Sequence, residues 1–465
     1  MDRNVSEMRM TLLKDKTTTH ELADELSSED IDRSKDRSRV LAARRNGRRG
    51  MLLWLLLGPG VLTMLGENDG PSMLSYAASG ATYGLGFFLP FIVVAFAAAY
   101  VVQEMSMRLG AVTHRGYGEL IFQRFGPFWG WLAVGDLVVT NLVTLITEGI
   151  AIRVGMSFFG ISAQIAVVCA VALVVVNTLG SRYSRWERLT MGLALFNLLF
   201  LAVAFFARPS PGAVAEALLT WTPLPTGTPQ EFLLLLTSNI GATVTPWMLF
   251  FQQSASADKG LTPKDIPQGR LDTGLGTVLA AITGCAALVA AVPLFAHHIN
   301  VSNLQGGAGY AEALRPIIGA PGATMFALGL IEAGAVAMLT ISASTAYAIG
   351  EAFGGVGHSF NQSISEAPFF HAANIGIAIA AGLIVLIPNS PLLAITLNAN
   401  MLATILMPPA LVFLLVLVND REIMGPWVNS WRGNMLGILI TVAIILAGTA
   451  YAIVAVLGTF MSAGT

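Results

Sequence analysis

The sequence predicts an all-α polytopic membrane protein with eleven transmembrane helices, the first ten of which form two inverted five-helix repeats. Three observations predict it. Of the 465 residues, 54% are hydrophobic and 12% are charged, whereas soluble domains carry about 25% charged residues. Eleven windows approach or exceed the roughly 20 apolar residues that a membrane-spanning helix needs. The first and the sixth of these windows are interrupted by glycine, proline and polar residues at corresponding places.

Residues 1–50 form a charged tail before the first span. They contain 12 Lys/Arg and 10 Asp/Glu residues, so 22 of the 54 charges of the chain lie there. The tail has no apolar run and is therefore neither a signal peptide nor a span. Its composition predicts a solvated segment. The two cysteines, Cys169 and Cys285, lie in apolar windows and indicate neither a disulfide framework nor a thiolate metal site.

The eleven windows follow one another along the rest of the chain. Their approximate bounds are 51–82, 86–108, 128–155, 161–180, 189–207, 230–256, 273–297, 322–350, 370–388, 391–418 and 435–458. The predicted organisation follows directly. The tail is followed by the first repeat over 51–210, the second repeat over 228–418, and an eleventh helix within 434–465.

Basic residues predict the orientation in the membrane. Arg44, Arg45, Arg48 and Arg49 precede the first span, and basic residues next to a span favour the cytoplasmic side. Alternate loops agree, and they contain Arg108, Arg115 and Arg124, then Arg182, Arg185 and Arg188, then Lys259, Lys264 and Arg270, and finally Arg421 and Arg432. We therefore expect a cytoplasmic N-terminus in a cell membrane, namely a bacterial inner membrane. The expected partner is the lipid bilayer around a monomer, and no nucleic acid is expected.

The two interrupted spans predict where a ligand binds. The first is broken at "GENDGPS", residues 66–72, which contains Glu67 and Asp69; the second is broken near Gly241 and Pro246. Because each repeat has an odd number of spans, the second copy is inverted, and the two breaks are expected to meet near the bilayer midplane. Unwound backbone is tolerated at that depth only where it lines a cavity. Carboxylates and freed carbonyls there form an oxygen-rich cluster that suits a cation.

The residues at both breaks also resemble a known family. "GPGVLTMLGENDGPS", "RLGAVTHRGYGELI" and "NIGATVTPW" resemble motifs of the NRAMP family of divalent-metal transporters, and the resemblance extends over residues 51–418. The chain has D-G-P-S at 69–72 where the family has D-P-G-N, and T-P-W at 245–247 where the family has M-P-H. The resemblance implies a LeuT-like fold. It also implies cation binding by Asp69, Ser72, Thr245 and the backbone carbonyls near Gly66 and Ala242.

The departures from the family pattern predict the ion. Thr245 offers a hard hydroxyl oxygen where the family has a soft thioether, Trp247 replaces a histidine, and Ser72 keeps an oxygen on a shorter side chain. Hard oxygen donors favour Mg²⁺ and Mn²⁺ over softer transition metals. The pattern resembles the NRAMP-related magnesium transporters, so we expect Mg²⁺ as substrate, with Mn²⁺ also accepted. No resident cofactor is expected.

Several side chains around these ligands have open roles. Glu67 is either a further ligand or an attracting charge in the outer vestibule. The hydroxyls of Ser72 and Thr245 are either ligands or partners of their own helix backbone. The expected lining residues of the pocket are Trp247, Asn68, Met248 and Asn400.

The third and sixth spans bear on proton coupling. In the family, acidic residues of the third span relay protons; here the matching positions are Asn141 and Thr144, and Gln252 stands in place of a histidine of the sixth span. None of the three exchanges protons near neutral pH, so we expect facilitated, uncoupled uptake. Glu148 is an alternative relay, and Glu332 is either a gate or a packing partner.

Two rival functions stay open. One is a proton-coupled Mn²⁺/Fe²⁺ importer of the same family, and the other is a Na⁺-coupled amino-acid symporter on the same fold. Carboxylates at the break would repel the carboxylate of an amino acid, which disfavours the symporter. An enzyme is not expected, because the chain contains no metalloprotease, phosphate-loop or nucleophile-elbow motif.

Overall fold

The computed structural model describes residues 58–180, 183–299, 306–353, 359–387 and 392–463, together with 38, 42, 45–48 and 51. Most of the predicted tail lies outside the described residues. From residue 58 onward the described part is helical and contains no strand. The helices are α1 Pro59–Gly66, α2 Gly70–Tyr83, α3 Phe88–Thr113, α4 Tyr117–Phe125, α5 Pro127–Ser157, α6 Ala163–Gly180, α7 Tyr183–Ala194, α8 Leu199–Phe206, α9 Pro211–Thr220, α10 Pro229–Gly241, α11 Pro246–Asp258, α12 Ile266–Ala296, α13 Gly306–Ala352, α14 Pro368–Val385, α15 Leu392–Asn419, α16 Arg421–Met424 and α17 Trp431–Ala463.

These helices reproduce the predicted spans. Within the described ranges, nine helical segments are long and apolar enough to cross a membrane, and they match the second, third and fifth to eleventh predicted spans. The fourth predicted span is the shorter helix α6, and the first is divided between α1 and α2. The predicted all-α, multi-span architecture with interrupted first and sixth spans is therefore confirmed.

The eighth span differs from its prediction. α13 is 47 residues long and begins well before the predicted window at 322–350. It changes direction at Gly319, which has φ 79° and ψ 167°, between Pro316 and Pro321. Proline removes backbone donors and glycine adopts this positive φ without strain, so an additional helical segment precedes the span.

Packing places both breaks inside the protein. α1 and α2 pack against α12, while α10 packs against α15 and α11 packs against α3 and α13. The exposed fractions of the side chains at the breaks are 0% for Glu67, 1% for Asp69 and 2% for Thr245. Charged groups are almost never this buried unless they are paired, so the breaks mark the interior region in which a partner for these charges is needed.

Candidate metal-ion site

The first break separates two short helices that hold their acids differently. Glu67 continues α1, because its backbone N–H donates to the carbonyl of Thr63 at 3.1 Å. Asp69 instead caps α2, because its carboxylate accepts the backbone N–H of Ser72 at 2.8 Å. An aspartate at this position satisfies one of the unpaired donors of a helix N-terminus. The two carboxylates are thus attached to different helices although only Asn68 lies between them.

The second break has the same organisation. α10 ends at Gly241, and Thr245 is extended (φ −118°, ψ 155°) before α11 begins. The backbone N–H of Thr245 donates to the sulfur of Met248 at 3.3 Å. The Ala242 carbonyl accepts the hydroxyl of Tyr76, a residue of α2, at 2.7 Å. The Met248 sulfur therefore accepts a backbone hydrogen bond. The Ala242 carbonyl, a predicted ligand, is hydrogen-bonded to α2, the second helix of the first broken span.

The two breaks are joined by a direct hydrogen bond. The Thr245 hydroxyl donates to one carboxylate oxygen of Glu67 at 2.9 Å, although the residues are 178 positions apart. The other oxygen of Glu67 is buried and has no hydrogen-bond partner among the described residues. Leaving a buried charged acceptor unpaired costs about 1–3 kcal/mol or more. The Glu67 oxygen is therefore available to a hydrogen-bond donor or a cation where α1 and α11 meet.

A third carboxylate lies next to the first break. Glu148 of α5 is fully buried and accepts the backbone N–H of Gly70, the residue after Asp69, at 3.0 Å. Its second oxygen has no partner among the described residues. The sequence indicated Glu148 only as an alternative relay. The contact of Glu148 with the first break depends on how α5 packs. The only sequence signal that points to Glu148 is its place in a membrane span, because an acid there requires a partner.

These acids do not form a metal centre by themselves. In the described part of the chain, no three His, Cys, Asp or Glu side chains converge closely enough to hold an ion. An ion bound at the breaks would therefore need hydroxyl, carbonyl or water oxygens in addition to carboxylates. Such a shell is typical of a hard cation that keeps several of its waters.

Two predicted lining residues, Asn68 and Asn400, hydrogen-bond to groups other than the carboxylates. Asn68 directs its amide nitrogen to α12, where it donates to the Ala280 carbonyl at 2.8 Å and to Thr283 at 2.5 Å. Asn400 of α15 donates to the Ser75 hydroxyl at 2.9 Å. Asn68 thus holds the linker before α2 against α12, and Asn400 holds α2 against α15. Neither amide makes a direct hydrogen bond to Glu67 or Thr245.

Gly66 and Trp247 are in close packing. A Cβ atom added at Gly66 would lie 3.2 Å from the Trp247 ring and 3.2 Å from the Thr340 hydroxyl. Trp247 is fully buried, and its backbone carbonyl accepts the Ser344 hydroxyl at 3.0 Å. The indole thus closes the space beside the end of α1, where the family has an imidazole.

The substituted proton-pathway positions make neutral hydrogen bonds. Asn141 donates to the Thr345 hydroxyl at 2.9 Å. Thr144 donates to the backbone carbonyl of its own helix at Thr140, at 2.9 Å. Gln252 accepts the hydroxyl of Thr63 at 2.5 Å. None of these contacts contains a group that titrates near neutral pH.

The N-terminal end of α1 is closed by a residue of α12. The Asp272 carboxylate accepts three backbone N–H groups, from Gly58 at 3.0 Å, Gly60 at 2.7 Å and Val61 at 3.3 Å. Beside it, Lys259 at the end of α11 forms an ion pair with Glu187 at 2.8 Å. On this side of the site, charged groups therefore hold the ends of both broken spans: Asp272 holds the start of α1, and the Lys259–Glu187 ion pair holds the end of α11.

The opposite side of the site is closed by aromatic rings. Tyr83 at the end of α2 stacks on Phe88 with ring centroids 5.5 Å apart. Phe232 of α10 meets Phe87 at 5.3 Å, and Trp221 meets the same Phe87 at 5.5 Å. Charged and polar contacts thus hold the N-terminal end of α1, and aromatic contacts surround the C-terminal end of α2.

Comparison with known proteins identifies the fold and the family of the chain. The model of the Nramp family, described as natural resistance-associated macrophage protein-like, matches residues 60–455. The crystal structure of the Eremococcus coleocola manganese transporter, in complex with an aromatic bis-isothiourea compound, superposes with a TM-score of 0.68 at 18% identity. The match covers 85% of this chain and 86% of that structure. This likeness confirms the predicted LeuT-like fold.

Curated relatives extend over different shares of the chain. The divalent metal cation transporter MntH of Mycobacterium tuberculosis is 28% identical over 297 residues, which cover 60% of this chain and 66% of the relative. MntH of Aeromonas hydrophila is 25% identical over 419 residues, 86% of this chain and 96% of the relative. Together with the family model, which matches most of its length, these findings show that the chain belongs to the Nramp family of membrane proteins.

Proposed function

We propose that the protein carries divalent metal cations across the membrane, preferring Mg²⁺ and accepting Mn²⁺, without proton coupling. The observation that carries this proposal is the hydrogen bond from Thr245 to Glu67 at 2.9 Å, which joins both helix breaks beside the buried Asp69. A buried oxygen-rich cluster of this kind needs a positive ion to balance it. The names of the relatives support a divalent ion as that charge.

Preference for a hard ion rests on the donors at the breaks. Thr245 and Glu67 offer only oxygen, and the nearby Met248 sulfur accepts a backbone N–H instead of standing free. The side chain of Ser72 likewise offers only a hydroxyl oxygen as a ligand, and its backbone N–H donates to Asp69. Oxygen-only sites with retained water suit Mg²⁺ and tolerate Mn²⁺.

Absence of proton coupling is supported by the neutral contacts of Asn141, Thr144 and Gln252. Coupling is not needed energetically. A divalent ion that enters a compartment held about 100 mV negative gains about 4.6 kcal/mol from the potential. This energy supports roughly thousand-fold accumulation. The membrane potential is therefore a sufficient driving force.

The mechanism that we infer is alternating access. The ion enters from the side closed by the aromatic rings, binds where the breaks meet, and leaves on the side closed by Asp272. The basic loops predict that this second side faces the cytoplasm. Release then requires that α1 separates from α12, because Asp272 binds the N-terminal end of α1.

The test is ion uptake into proteoliposomes loaded with a pH-sensitive dye. Mg²⁺, Mn²⁺, Ca²⁺ and Cd²⁺ are offered in turn under an inside-negative potential set by a K⁺ gradient. We expect Mg²⁺ and Mn²⁺ to enter without a change of internal pH. Protein-free liposomes are the control for leak. Internal acidification that follows metal entry would instead support the proton-coupled Mn²⁺/Fe²⁺ importer.

Changing the donor at position 245 should change selectivity. In Thr245→Met a soft thioether replaces the hydroxyl, so we expect the ratio of Cd²⁺ to Mg²⁺ affinity to rise on the order of 10-fold, about 1.4 kcal/mol. Isothermal titration with each ion measures the ratio. Thr245→Val is the matched control, because it removes the hydroxyl without adding sulfur and should weaken Mg²⁺ without strengthening Cd²⁺. Equal ratios in both variants would contradict a ligand at this position.

A further inference from the structure

A cavity of about 330 Å³ lies where the ends of three helices meet, and none of its lining residues belongs to the two breaks. It is formed by the C-terminal part of α3, the start of α12 and the residues just before and at the start of α17. Its charged lining residues are Glu104 and Arg108 of α3 and Arg270 of α12. The basic loops predict that these helix ends face the cytoplasm, so the cavity is expected at the level of the lipid headgroups on that side.

Arg108 is the buried cation of this cavity, with an exposed fraction of 4%. Its Nε donates to Glu104 at 3.1 Å. Its Nη1 donates to the carbonyl of Trp427 at 2.6 Å, and its Nη2 donates to the side-chain oxygen of Asn429 at 2.9 Å. The guanidinium is therefore fixed in place and joins α3 to the turn before α17.

Arg270 is the accessible cation. Its side chain is 49% exposed, and its Nη2 lies 2.8 Å from a carboxylate oxygen of Glu104. Its Nε donates to the same oxygen at 2.9 Å, while its Nη1 has no hydrogen-bond partner among the described residues. Guanidinium groups bind phosphate oxygens through their N–H donors. Arg270 can therefore bind an anion in the cavity without losing its contact with Glu104.

The charges of the cavity select the class of anion. Two guanidinium groups share the single carboxylate of Glu104, and the remaining lining residues are neutral, so one positive charge is left over. A phosphodiester carries one negative charge and balances it. A phosphomonoester carries about −1.5 to −2 near pH 7 and would leave a net negative charge.

An apolar stripe runs from the cavity along α3. Tyr100 and Val101 line the cavity, and exposed apolar residues continue on the same face toward the start of the helix at Val93, Val94 and Ala97, with the spacing of a helix face. The neighbouring helices also expose apolar side chains beyond the cavity, namely Leu271, Leu275 and Val278 of α12 and Met435, Ile438 and Leu439 of α17. Lipid chains are as apolar as leucine, so a ligand with an anionic head and an apolar tail fits both parts of this surface.

We propose that the cavity binds the phosphodiester headgroup of an anionic glycerophospholipid. Arg270 donates to the phosphate, Arg108 supplies a fixed positive charge behind it, and one acyl chain lies along the stripe of α3. Basic pockets between spans on the cytoplasmic side bind such headgroups in membrane proteins. The site is separate from the proposed divalent-ion transport and stands without it.

The test is thermal unfolding of the purified full chain in detergent, at constant ionic strength, with dioctanoyl phosphatidylglycerol, dioctanoyl phosphatidylcholine or inorganic phosphate. We expect phosphatidylglycerol to raise the melting temperature saturably by roughly 3 °C over phosphatidylcholine. Inorganic phosphate should not reproduce this rise, because it has no acyl chain to contact α3.

Two variants locate the response. Arg270→Gln should raise the half-saturating concentration of phosphatidylglycerol about 10-fold, or 1.4 kcal/mol, because it removes a charged donor to the phosphate. Arg115→Gln is the matched control and should keep the wild-type response. The Arg115 side chain is 51% exposed and pairs with Glu119 at 3.5 Å, much as Arg270 pairs with Glu104, but Arg115 does not line the cavity.

Three results would overturn the proposal: equal melting temperatures in the two lipids, a phosphatidylglycerol response that is unchanged in Arg270→Gln, and an equal rise with inorganic phosphate, which would assign the cavity to a free ion. Should Arg270→Gln not fold, a phosphatidylglycerol with a photoreactive acyl chain provides an independent measurement on the wild-type chain. Cross-links to residues 93–101 that unlabelled phosphatidylglycerol suppresses, and phosphatidylcholine does not, support the site. Cross-links confined to helices other than α3, α12 and α17 contradict it.

Discussion

Replacing Asp69 by asparagine is expected to abolish divalent-ion uptake while leaving the protein folded. Asparagine caps a helix as well as aspartate does, so the bond to the Ser72 N–H at 2.8 Å can be kept. The negative charge, however, is lost. Removing one member of a buried charge pair costs about 3–5 kcal/mol, which corresponds to more than about 100-fold in affinity.

The measurement is Mn²⁺ binding and uptake by Asp69→Asn, with melting temperature as the check on folding. Asp420→Asn is the matched control, because Asp420 also caps a helix, accepting the Glu422 N–H at 2.9 Å, but it precedes the short helix α16, away from the breaks. Uptake by the control should equal that of the wild type. Wild-type Mn²⁺ affinity in Asp69→Asn would show that the ion binds elsewhere.

Replacing Asp272 by asparagine is expected to open the protein on the side where α1 begins. The carboxylate accepts three N–H groups at 2.7 to 3.3 Å, and it also opposes the positive end of the helix dipole. Hydrogen bonds to a charged group contribute about 1.5–3 kcal/mol each, and the dipole adds about 0.3–1 kcal/mol. Because asparagine keeps one acceptor, we expect a loss of about 2–3 kcal/mol, or roughly 30- to 150-fold in the population with α1 released.

Thiol labelling measures this shift. Ser256 is fully buried near the C-terminal end of α11. The chain has only two native cysteines that must be replaced before labelling. With Ser256→Cys as reporter, a membrane-impermeant reagent added on the side of α1 should label Asp272→Asn faster than the parent. Asp265→Asn is the control, because Asp265 accepts from Thr262 in the turn before α12 and should not change the labelling rate. Equal rates in all three proteins would exclude Asp272 as the closing contact.

The positions of the breaks could be predicted from sequence because local chemistry determines them. Proline removes a backbone donor and glycine weakens the helix, so the interruptions before Pro71 and Pro246 lie where the prediction placed them. The apolar windows gave the spans for the same reason, since length and hydropathy are local properties. The bend at Gly319 in α13 and the short helix α9 are absent from the prediction, because both lie outside the windows that were long enough to span.

The partners of the buried acids could not be predicted in the same way. Glu148 contacts Gly70 across 78 positions and Asp272 contacts Gly58 across 214. Such pairs depend on how the helices pack against one another, and hydrophobic periodicity does not predict this packing. Asp272 was also placed in a loop, since the predicted span began at 273 whereas α12 begins at Ile266. Had the span been extended by one turn, an acid in need of a partner would have been visible.

Glu67 is attached to α1 and Asp69 to α2, so the proposed transport would give its ion a mechanical role. An ion held by both acids would crosslink two helices that are joined by a short linker. The angle between α1 and α2 then depends on the size of the ion and of its water shell. We therefore expect discrimination between cations in the turnover rate as well as in affinity, because an ion of unsuitable radius sets the helices at an angle from which the transport cycle proceeds slowly.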